Sequence, residues 1–322
     1  MKKHAVLAFL LVAMLLFGGC KANKNNNGAS SEEGSSGAGS SETNDLFPNS
    51  SEPQVSVPES SEGSSENSSS GDDVAANAQP IVVDGKTLPD FSVYDNTPVT
   101  WGPGHQMDSQ NRPTACVQLQ KKYEKDGGLF LRSAEEKKVY LTFDEGYENG
   151  YTAKILDVLK EKQCPAVFFV TMSYVKKNPN LIRRMIDEGH VVGNHSTTHP
   201  DKGMPSLTSE AMVKDITELH NYVVENFNYQ MTLFRPPAGL FSERSLEIAK
   251  ELGYTSVLWS FAYDDWHADK QPDPATSLSK VTSAVHPGAI PLLHAVSSTN
   301  TQILGQVIDS WRSDGYTLEK LQ

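Results

Sequence analysis

From about residue 135, short apolar stretches alternate with helix-like stretches almost to the end of the chain. The predicted strands span 139–143, 166–170, 190–193, 231–234, 254–259, 289–293 and 316–318. The predicted helices span 151–162, 181–188, 209–227, a segment capped by Ser242 and ended by Gly253, 276–286 and 302–312. Repeated strand–helix units imply parallel strands, because a parallel pair needs a long crossover connection. The fold is therefore predicted to be α/β, either an open sheet or a barrel.

Side chains suited to chemistry follow the predicted strands, at or just after their carboxyl ends. They are Asp144, His195, Arg235, Asp265 and His294. Both parallel architectures place their active sites on that side of the sheet. Several such residues from widely spaced strands favour a barrel, in which the loops converge on one mouth.

An acidic pair and a histidine pair are the strongest individual signals. Asp144 and Glu145 can supply a general base and a metal ligand, provided that a turn at Gly146 brings both toward one site. His195 and His199, four residues apart, can supply two imidazoles from one side of a helical turn. Taken singly, each pair has a simpler interpretation, namely a solvated acidic turn and a capped turn with satisfied histidines.

Three further segments carry polar groups in restrained surroundings. Arg235–Gly239 reads Arg-Pro-Pro-Ala-Gly, which can hold a guanidinium rigidly against a carboxylate. Asp265 precedes Trp266, and His294 ends an apolar strand where a carboxylate would raise its pKa. Each of these features alone is more often structural than functional.

In this order, the segments resemble the five motifs of the polysaccharide deacetylase family, the NodB-homology carbohydrate esterases. The matching segments are Thr142–Gly146, His195–His199, Arg235–Gly239, Asp265–Trp266 and Leu292–His294. The resemblance covers roughly residues 137–320. It implies a distorted (β/α) barrel and a metal-dependent hydrolase that removes acetyl groups from sugars.

The resemblance also implies a role for each residue. Asp144 would be the general base and Arg235 its tether, while Asp265 would orient His294, the general acid. The implied ligands of a divalent metal, most often zinc, are Glu145, His195 and His199. The implied residues of the substrate pocket are Tyr147, Pro237, Trp266 and Leu292.

Two positions depart from the family pattern. Glu145 stands where the family usually has Asp, which moves the carboxylate by about one bond length and puts metal affinity in doubt. Ala262 stands where the fourth motif usually carries another Asp.

A narrower resemblance, over about residues 95–322, is to the muramic-δ-lactam de-N-acetylases of spore-forming bacteria. The matching segments are Phe143–Tyr151, Val192–His195, Leu233–Pro237, Trp259–Trp266, Trp101-Gly102 and Lys121–Tyr123. It implies N-acetylmuramic acid of peptidoglycan as the target, in spore cortex or in vegetative wall. The alternatives are a peptidoglycan N-acetylglucosamine deacetylase and a catalytically weak or inactive glycan-binding lipoprotein of the cell wall.

The first 20 residues have the features of an export signal. Two lysines precede the apolar run Ala5–Phe17, which is short for a permanent span, and Gly18-Gly19-Cys20 follows. This ending resembles a bacterial lipobox, in which Cys20 would be lipidated and anchor the protein to the membrane. An ordinary cleaved signal and an uncleaved anchor are the alternatives. All three place the remainder of the chain outside the cytoplasm.

Between residues 21 and 90 the chain is predicted to be a disordered Ser-, Gly- and Glu-rich tether. Residues 21–80 carry ten of the acidic residues and two lysines, so most of the net charge of −12 belongs to this segment. A net-acidic exported domain makes a nucleic-acid partner implausible. Residues 91–136 are predicted to pack on the barrel of residues 137–322, and a monomer is expected. Cys116 and Cys164 are either one disulfide or buried free thiols.

Overall fold

Strands and helices alternate along residues 82–322, the part of the chain that the computed structural model describes. Its helices are α1 Thr114–Tyr123, α2 Thr152–Glu161, α3 Met172–Lys177, α4 Pro179–Asp187, α5 Ser209–Phe227, α6 Glu243–Glu251, α7 Pro274–Ser283 and α8 Ser298–Ser313. Its strands are β1 Val82–Val83, β2 Lys86–Thr87, β3 Val99–Thr100, β4 Gly128–Leu129, β5 Lys138–Val139, β6 Thr142–Glu145, β7 Val167–Val170, β8 Val191–Asn194, β9 Leu233–Phe234, β10 Leu240–Phe241, β11 Thr255–Val257, β12 Leu292–His294 and β13 Thr317–Leu318.

Seven of these strands form one sheet in the order β12-β6-β7-β8-β9-β11-β4, and every neighbouring pair is parallel. Backbone hydrogen bonds outside the regular strands join the segment before β12 to the segments that follow β4 and β11. Arg132 donates to the carbonyl of Gly288 (2.9 Å), and Ser260 donates to that of Ile290 (2.9 Å). The sheet therefore curls into a distorted (β/α) barrel, and the predicted fold class is confirmed.

The central strands are buried on both faces, as expected of a parallel sheet covered by helices. Val167 and Phe169 of β7 point into the barrel, where they pack with Leu233 and Val257. Phe168 belongs instead to the larger core between the sheet and the surrounding helices. This alternation decides which side chains at the strand ends face the mouth of the barrel.

The strand predicted over residues 139–143 is two strands. Lys138–Val139 pairs with Thr317–Leu318, and the sheet strand proper is Thr142–Glu145. The sheet also begins earlier than the predicted boundary at residue 137. Gly128–Leu129, which the sequence analysis assigned to the N-terminal extension, is the edge strand beside β11.

The rest of the extension packs on the loops at the end of the barrel. Val99–Thr100 pairs antiparallel with Leu240–Phe241, and the indole N–H of Trp101 donates to the carbonyl of Trp259 (3.0 Å). Cys116 lies in the same apolar cluster as these tryptophans, whereas Cys164 lies in the main core. Both cysteines are free and buried, so of the two alternatives the structure has buried thiols.

No helix within residues 82–322 is both long and apolar enough to cross a membrane. The predictions of a signal segment over residues 1–20 and of lipidation at Cys20 fall outside the described residues. The same is true of most of the predicted tether.

Candidate active site

Asp144 is the penultimate residue of strand β6 and lies at the centre of the site. Its Oδ1 accepts a hydrogen bond from Nη1 of Arg235 (2.7 Å), and its Oδ2 lies 3.5 Å from Nε2 of His195. The residue is only 8% exposed. Burial alone would raise the pKa of Asp144, but the nearby Arg235, His195 and His294 lower it below the usual value. Asp144 is therefore held as a carboxylate.

Arg235 follows strand β9 and is completely buried. Its Nε donates to the carbonyl of Val257 (3.0 Å), and its guanidinium lies 4.1 Å from the ring centroid of Phe169. The chain then makes a tight turn through Gly239, whose φ is +64°. A Cβ at Gly239 would lie 2.6 Å from the ring of Trp259, so this close approach needs glycine. The turn and these contacts fix the guanidinium against Asp144.

His294 ends strand β12 and lies directly opposite Asp144 in the parallel register. Its ring Nδ1 is 2.7 Å from Oδ1 of Asp265, and its backbone N–H donates to Oδ2 (2.9 Å). Burial alone would lower the pKa of His294, but the adjacent Asp265 carboxylate more than offsets this and raises it. Because Nδ1 is engaged by Asp265, Nε2 is the ring nitrogen left to act. The imidazole side chain is 24% exposed.

Asp265 and His294 form a hydrogen-bonded dyad. Asn300 and Tyr263 extend it, and neither residue was predicted from the sequence. The amide Nδ2 of Asn300 lies 2.6 Å from Oδ2 of Asp265 and 3.1 Å from the carbonyl of His294. The hydroxyl of Tyr263 donates to Oδ1 of Asn300. The only signal in the sequence was the polar segment Ser297–Asn300 shortly after His294, which is also typical of a helix start.

The two histidines do not lie on a helical turn, so that prediction was wrong. They lie in the irregular loop after strand β8, where Ser196 and His199 have φ of +69° and +47°. Ser196 donates its N–H to Oδ1 of Asn194 (2.8 Å), and its Oγ accepts from the N–H of His199 (2.8 Å). The imidazole centroids are nevertheless 4.9 Å apart, since the loop folds back on itself.

The histidines are set up as neutral imidazoles. Burial lowers the pKa of His195 to about 4 and also lowers that of His199. Nδ1 of His195 lies 2.8 Å from the carbonyl of Arg235, an acceptor that holds the proton on Nδ1. Nε2 is then the unprotonated ring nitrogen, and it faces Asp144. A ligating histidine is usually oriented by this kind of contact.

Glu145 is on the other face of the strand from Asp144. It pairs in register with Val170, whose side chain packs in the core between sheet and helices. The hydroxyls of Thr152 and Tyr174 and the carboxylate of Glu148 lie beside it. Those hydroxyls donate to Glu148 or to each other, so both oxygens of the fully buried Glu145 carboxyl have no hydrogen-bond partner. Burial, Glu148 and Asp144 raise its pKa well above the usual value.

The structure therefore does not assemble the ligand set Glu145, His195 and His199. Within residues 82–322, no group of three histidine, cysteine or carboxylate side chains is placed to hold a metal ion. The two imidazoles fit the chemistry of a divalent metal. Glu145 does not fit, because alternation along strand β6 turns it toward the helices.

The four predicted pocket residues separate into two pairs. Tyr147 is 49% exposed, and its hydroxyl lies 3.5 Å from the carbonyl of Trp266, whose ring stacks on His267 with centroids 3.6 Å apart. Pro237 and Leu292 are buried; Leu292 packs in the cluster of Trp101 and Trp259. Tyr147 is thus exposed and Trp266 partly exposed, whereas Pro237 and Leu292 belong to the interior.

A tethered carboxylate and an oriented imidazole at the ends of adjacent barrel strands, beside two further imidazoles, define a class of protein: a hydrolase built on a parallel barrel. Comparison with known proteins agrees with this class. Residues 132–257 match the sequence profile of the polysaccharide deacetylase family. The chain belongs to the polysaccharide deacetylase family, so the predicted family and enzyme class are confirmed.

Individual relatives extend over most of the described chain. The chain is 41% identical over 227 residues to the peptidoglycan-N-acetylmuramic acid deacetylase PdaA of Bacillus subtilis, covering 70% of this chain and 85% of that protein. The solved structure of that PdaA, a family 4 carbohydrate esterase, matches with a TM-score of 0.66 over 70% of this chain and 96% of that one, at 40% identity. A family 4 carbohydrate esterase from Bacillus anthracis, also 40% identical, matches with a TM-score of 0.58 over 71% of this chain and 96% of that one. Dependence on a divalent metal is general to the family.

Proposed function

We propose that this chain removes N-acetyl groups from peptidoglycan glycan strands, with N-acetylmuramic acid as the target sugar. The observation that carries the proposal is the matched pair of Asp144 and His294, opposite each other on adjacent strands. Arg235 lowers the pKa of Asp144 and Asp265 raises that of His294, which favours an ionised carboxylate beside a protonated imidazole. Identity to a protein named as an N-acetylmuramic acid deacetylase supports the choice of sugar.

The two groups suit the two proton transfers of amide hydrolysis. Asp144 takes a proton from the water that attacks the acetyl carbonyl, and Arg235 keeps its carboxylate in place. His294 then gives the proton on Nε2 to the nitrogen of the leaving amine, because an unprotonated nitrogen leaves poorly. The backbone N–H of Tyr147, at the turn after strand β6, is proposed to stabilise the oxyanion.

The metal of this reaction is proposed to be zinc, held by His195 and His199. When bound, such a metal polarises the acetyl carbonyl and makes the attacking water more acidic. Nε2 of His195 is 3.5 Å from Oδ2 of Asp144, which places base and imidazole on the same side of the site. The third predicted ligand, Glu145, faces away from this side.

For the sugar itself, the exposed surface formed by Tyr147 and Trp266 is the proposed platform. A sugar ring presents an apolar C–H face, and an aromatic ring with an accessible face packs against it. Pro237 and Leu292, both buried, are proposed to keep this rim of the pocket in shape.

Replacement of the proposed base tests the function directly. We expect Asp144→Asn to lower the rate of acetate release from glycan strands by about 10²- to 10⁴-fold, because the amide cannot accept the proton of water. Binding of the same strands should change little, since the shape of the site is kept. Acetate release would be measured with and without stem peptides, across a zinc titration, and the free amine located on the sugar.

The alternatives give different results in the same experiment. Free amine on glucosamine would indicate a peptidoglycan N-acetylglucosamine deacetylase. Glycan binding by the unaltered protein, with no acetate release at any metal concentration, would indicate an inactive wall-associated protein. Unchanged turnover in Asp144→Asn would show that the role given to Asp144 is wrong.

The remaining proposals concern the location of the protein and rest on sequence alone. Residues 1–20 are proposed to be a lipoprotein-type signal, with Cys20 lipidated, and residues 21–90 a tether at the outer face of the cell membrane. Such a tether gives the catalytic domain access to the wall. The protein is proposed to act as a monomer, on spore cortex or on vegetative wall.

A further inference from the structure

Asn300 lies in the first turn of helix α8, six residues after His294, and is completely buried. Its backbone N–H is already used, because it donates to the Oγ of the helix cap Ser297 (3.1 Å). The side-chain amide is therefore not part of the capping of this helix. It points instead at the Asp265–His294 dyad.

The hydrogen bonds of this amide determine its orientation. Nδ2 lies 2.6 Å from a carboxylate oxygen of Asp265 and 3.1 Å from the carbonyl oxygen of His294, and both of these atoms can only accept. Oδ1 accepts from the hydroxyl of Tyr263. A flipped amide would set oxygen against two acceptors, so the assignment of N and O is unambiguous.

The contacts hold both members of the dyad at once. Asp265 uses Oδ1 for the imidazole of His294 and Oδ2 for the backbone N–H of His294 and the amide of Asn300. The orientation of the Asp265 carboxylate is thus fixed by His294 and Asn300, and the carboxylate in turn orients the imidazole of His294. Without the amide, a fully buried carboxylate oxygen would lose a donor, which is costly in a low-dielectric site.

We propose that Asn300 is a positioning residue for the general acid, with Tyr263 fixing the orientation of its amide. The proposal rests on the proposed function, in which His294 is that acid. Asn300 acts through Asp265: it keeps Oδ1 aimed at Nδ1 of His294, so that the protonated Nε2 stays directed at the leaving amine. The hydrogen-bonded chain runs from Tyr263 through Asn300 and Asp265 to His294.

The test compares Asn300→Leu with Thr299→Val in the full chain. Thr299 is the neighbouring buried residue of the same helix turn, and its hydroxyl donates to the carbonyl of Pro272, away from the dyad. Both variants keep side-chain size and lose buried hydrogen bonds. The readouts are kcat and KM for acetate release, and the low-field proton resonance of the His294 Nδ1–H, which reports its bond to Asp265.

We expect Asn300→Leu to lower kcat by about 10- to 100-fold with KM almost unchanged, and to broaden or remove the Nδ1–H resonance. Thr299→Val should keep kcat and the resonance. If Asn300→Leu matches Thr299→Val in both readouts, the proposal is overturned.

Two further measurements test the proposal if Asn300→Leu does not fold or if the unaltered protein is inactive. If Asn300→Leu does not fold, Tyr263→Phe removes the hydroxyl that donates to the amide while leaving Asn300 in place. A loss of about twofold to tenfold in kcat with a shifted Nδ1–H resonance then supports the proposal. An unshifted resonance in that variant overturns it. If the unaltered protein releases no acetate, the proposed function fails, and the resonance alone still decides the role of Asn300.

Discussion

At the residue scale, burial and pairing act in opposite directions on the ionisable groups of this site, and the outcome differs from group to group. For Asp144 and His294 a partner of opposite charge outweighs burial, and the pKa shift favours the charged form. For His195 burial outweighs the opposing effect of Asp144, whereas for Glu145 burial and the carboxylates of Glu148 and Asp144 act together, and both shifts favour the neutral form. A charge therefore survives in the buried site where the structure supplies a close opposite charge.

The pH dependence of the reaction follows from the dyad. In the proposed mechanism His294 must be protonated to donate, so we expect activity to fall as pH rises through its pKa, which Asp265 raises above the ordinary value. We expect Asp265→Asn to move the alkaline limb of kcat/KM to lower pH, because burial then lowers the pKa without an opposing carboxylate. The profile would be recorded from about pH 5 to pH 10.

Asp264→Asn is the matched control for that profile. Asp264 is exposed and pairs with His267 (3.4 Å), away from the imidazole of His294, so its loss should leave the alkaline limb in place. An unmoved limb in Asp265→Asn would show that a group other than His294 sets it.

Glu145 is the residue at which the family pattern and the structure differ most. Within residues 82–322 its buried carboxyl has no hydrogen-bond partner, and burial together with Glu148 and Asp144 disfavours its ionised form, a penalty that an amide does not carry. We expect Glu145→Gln to raise the melting temperature by a few degrees, equivalent to about 1 kcal/mol, and to leave zinc affinity unchanged. Calorimetric unfolding and zinc titration measure the two quantities.

A comparison variant separates the effects at this position. Glu148→Gln should destabilise the protein, because Oε2 of Glu148 accepts the hydroxyls of Thr152 and Tyr174, and an amide nitrogen in its place cannot accept. A clear loss of zinc affinity in Glu145→Gln would contradict the geometry and make Glu145 a ligand after all.

At the element scale, two helices were predicted with their caps, α1 and α3 were not predicted, and most strands were predicted too long. Helix α5 has the predicted bounds Ser209–Phe227, with Thr208 as its cap, and Ser242 caps α6 as expected. The strands are shorter than their apolar runs, as with Thr255–Val257 within the predicted 254–259. Helix ends are set by local capping, whereas strand ends depend on where a neighbouring strand supplies hydrogen bonds.

Gly288 is hydrogen-bonded to Arg132 and Lys138, which are distant from it in sequence. Its N–H donates to Lys138 and its carbonyl accepts from Arg132 (both 2.9 Å), and its φ is +76°. A Cβ there would lie 2.3 Å from the carbonyl oxygen of Arg132. We expect Gly288→Ala to lower the free energy of unfolding by about 3 kcal/mol, from steric overlap and backbone strain together, measured by urea denaturation.

Gly253→Ala supplies the control, because Gly253 also has a positive φ (+85°) but has open space where a Cβ would lie. It should cost only the strain, about 1 kcal/mol. Equal losses for the two substitutions would mean that the contact with Arg132 relaxes without cost.

At the scale of the whole molecule, the N-terminal extension is part of the barrel. It supplies the edge strand Gly128–Leu129. Its Trp101 lies in one apolar cluster with Trp259 and donates a hydrogen bond to the carbonyl of that residue. We expect a chain shortened to residues 137–322 to lose cooperative thermal unfolding, because strand β11 and that cluster would be uncovered. A chain of residues 82–322 should unfold cooperatively.

Circular dichroism melts of the two shortened chains measure this difference. The same melting temperature for both would show that the barrel of residues 137–322 is independent, as the predicted domain boundary implies.

The sequence by itself determined the α/β class, the alternation of strands and helices from about residue 135 and the residues of the proposed base–acid pair. Those features depend on local periodicity and on residue types that the chemistry requires, both visible in a linear chain. Tertiary structure alone decided the direction of Glu145, the loop that brings His195 and His199 together, and the place of Asn300 behind the acid. These depend on strand register and on contacts between distant segments, which local sequence does not encode.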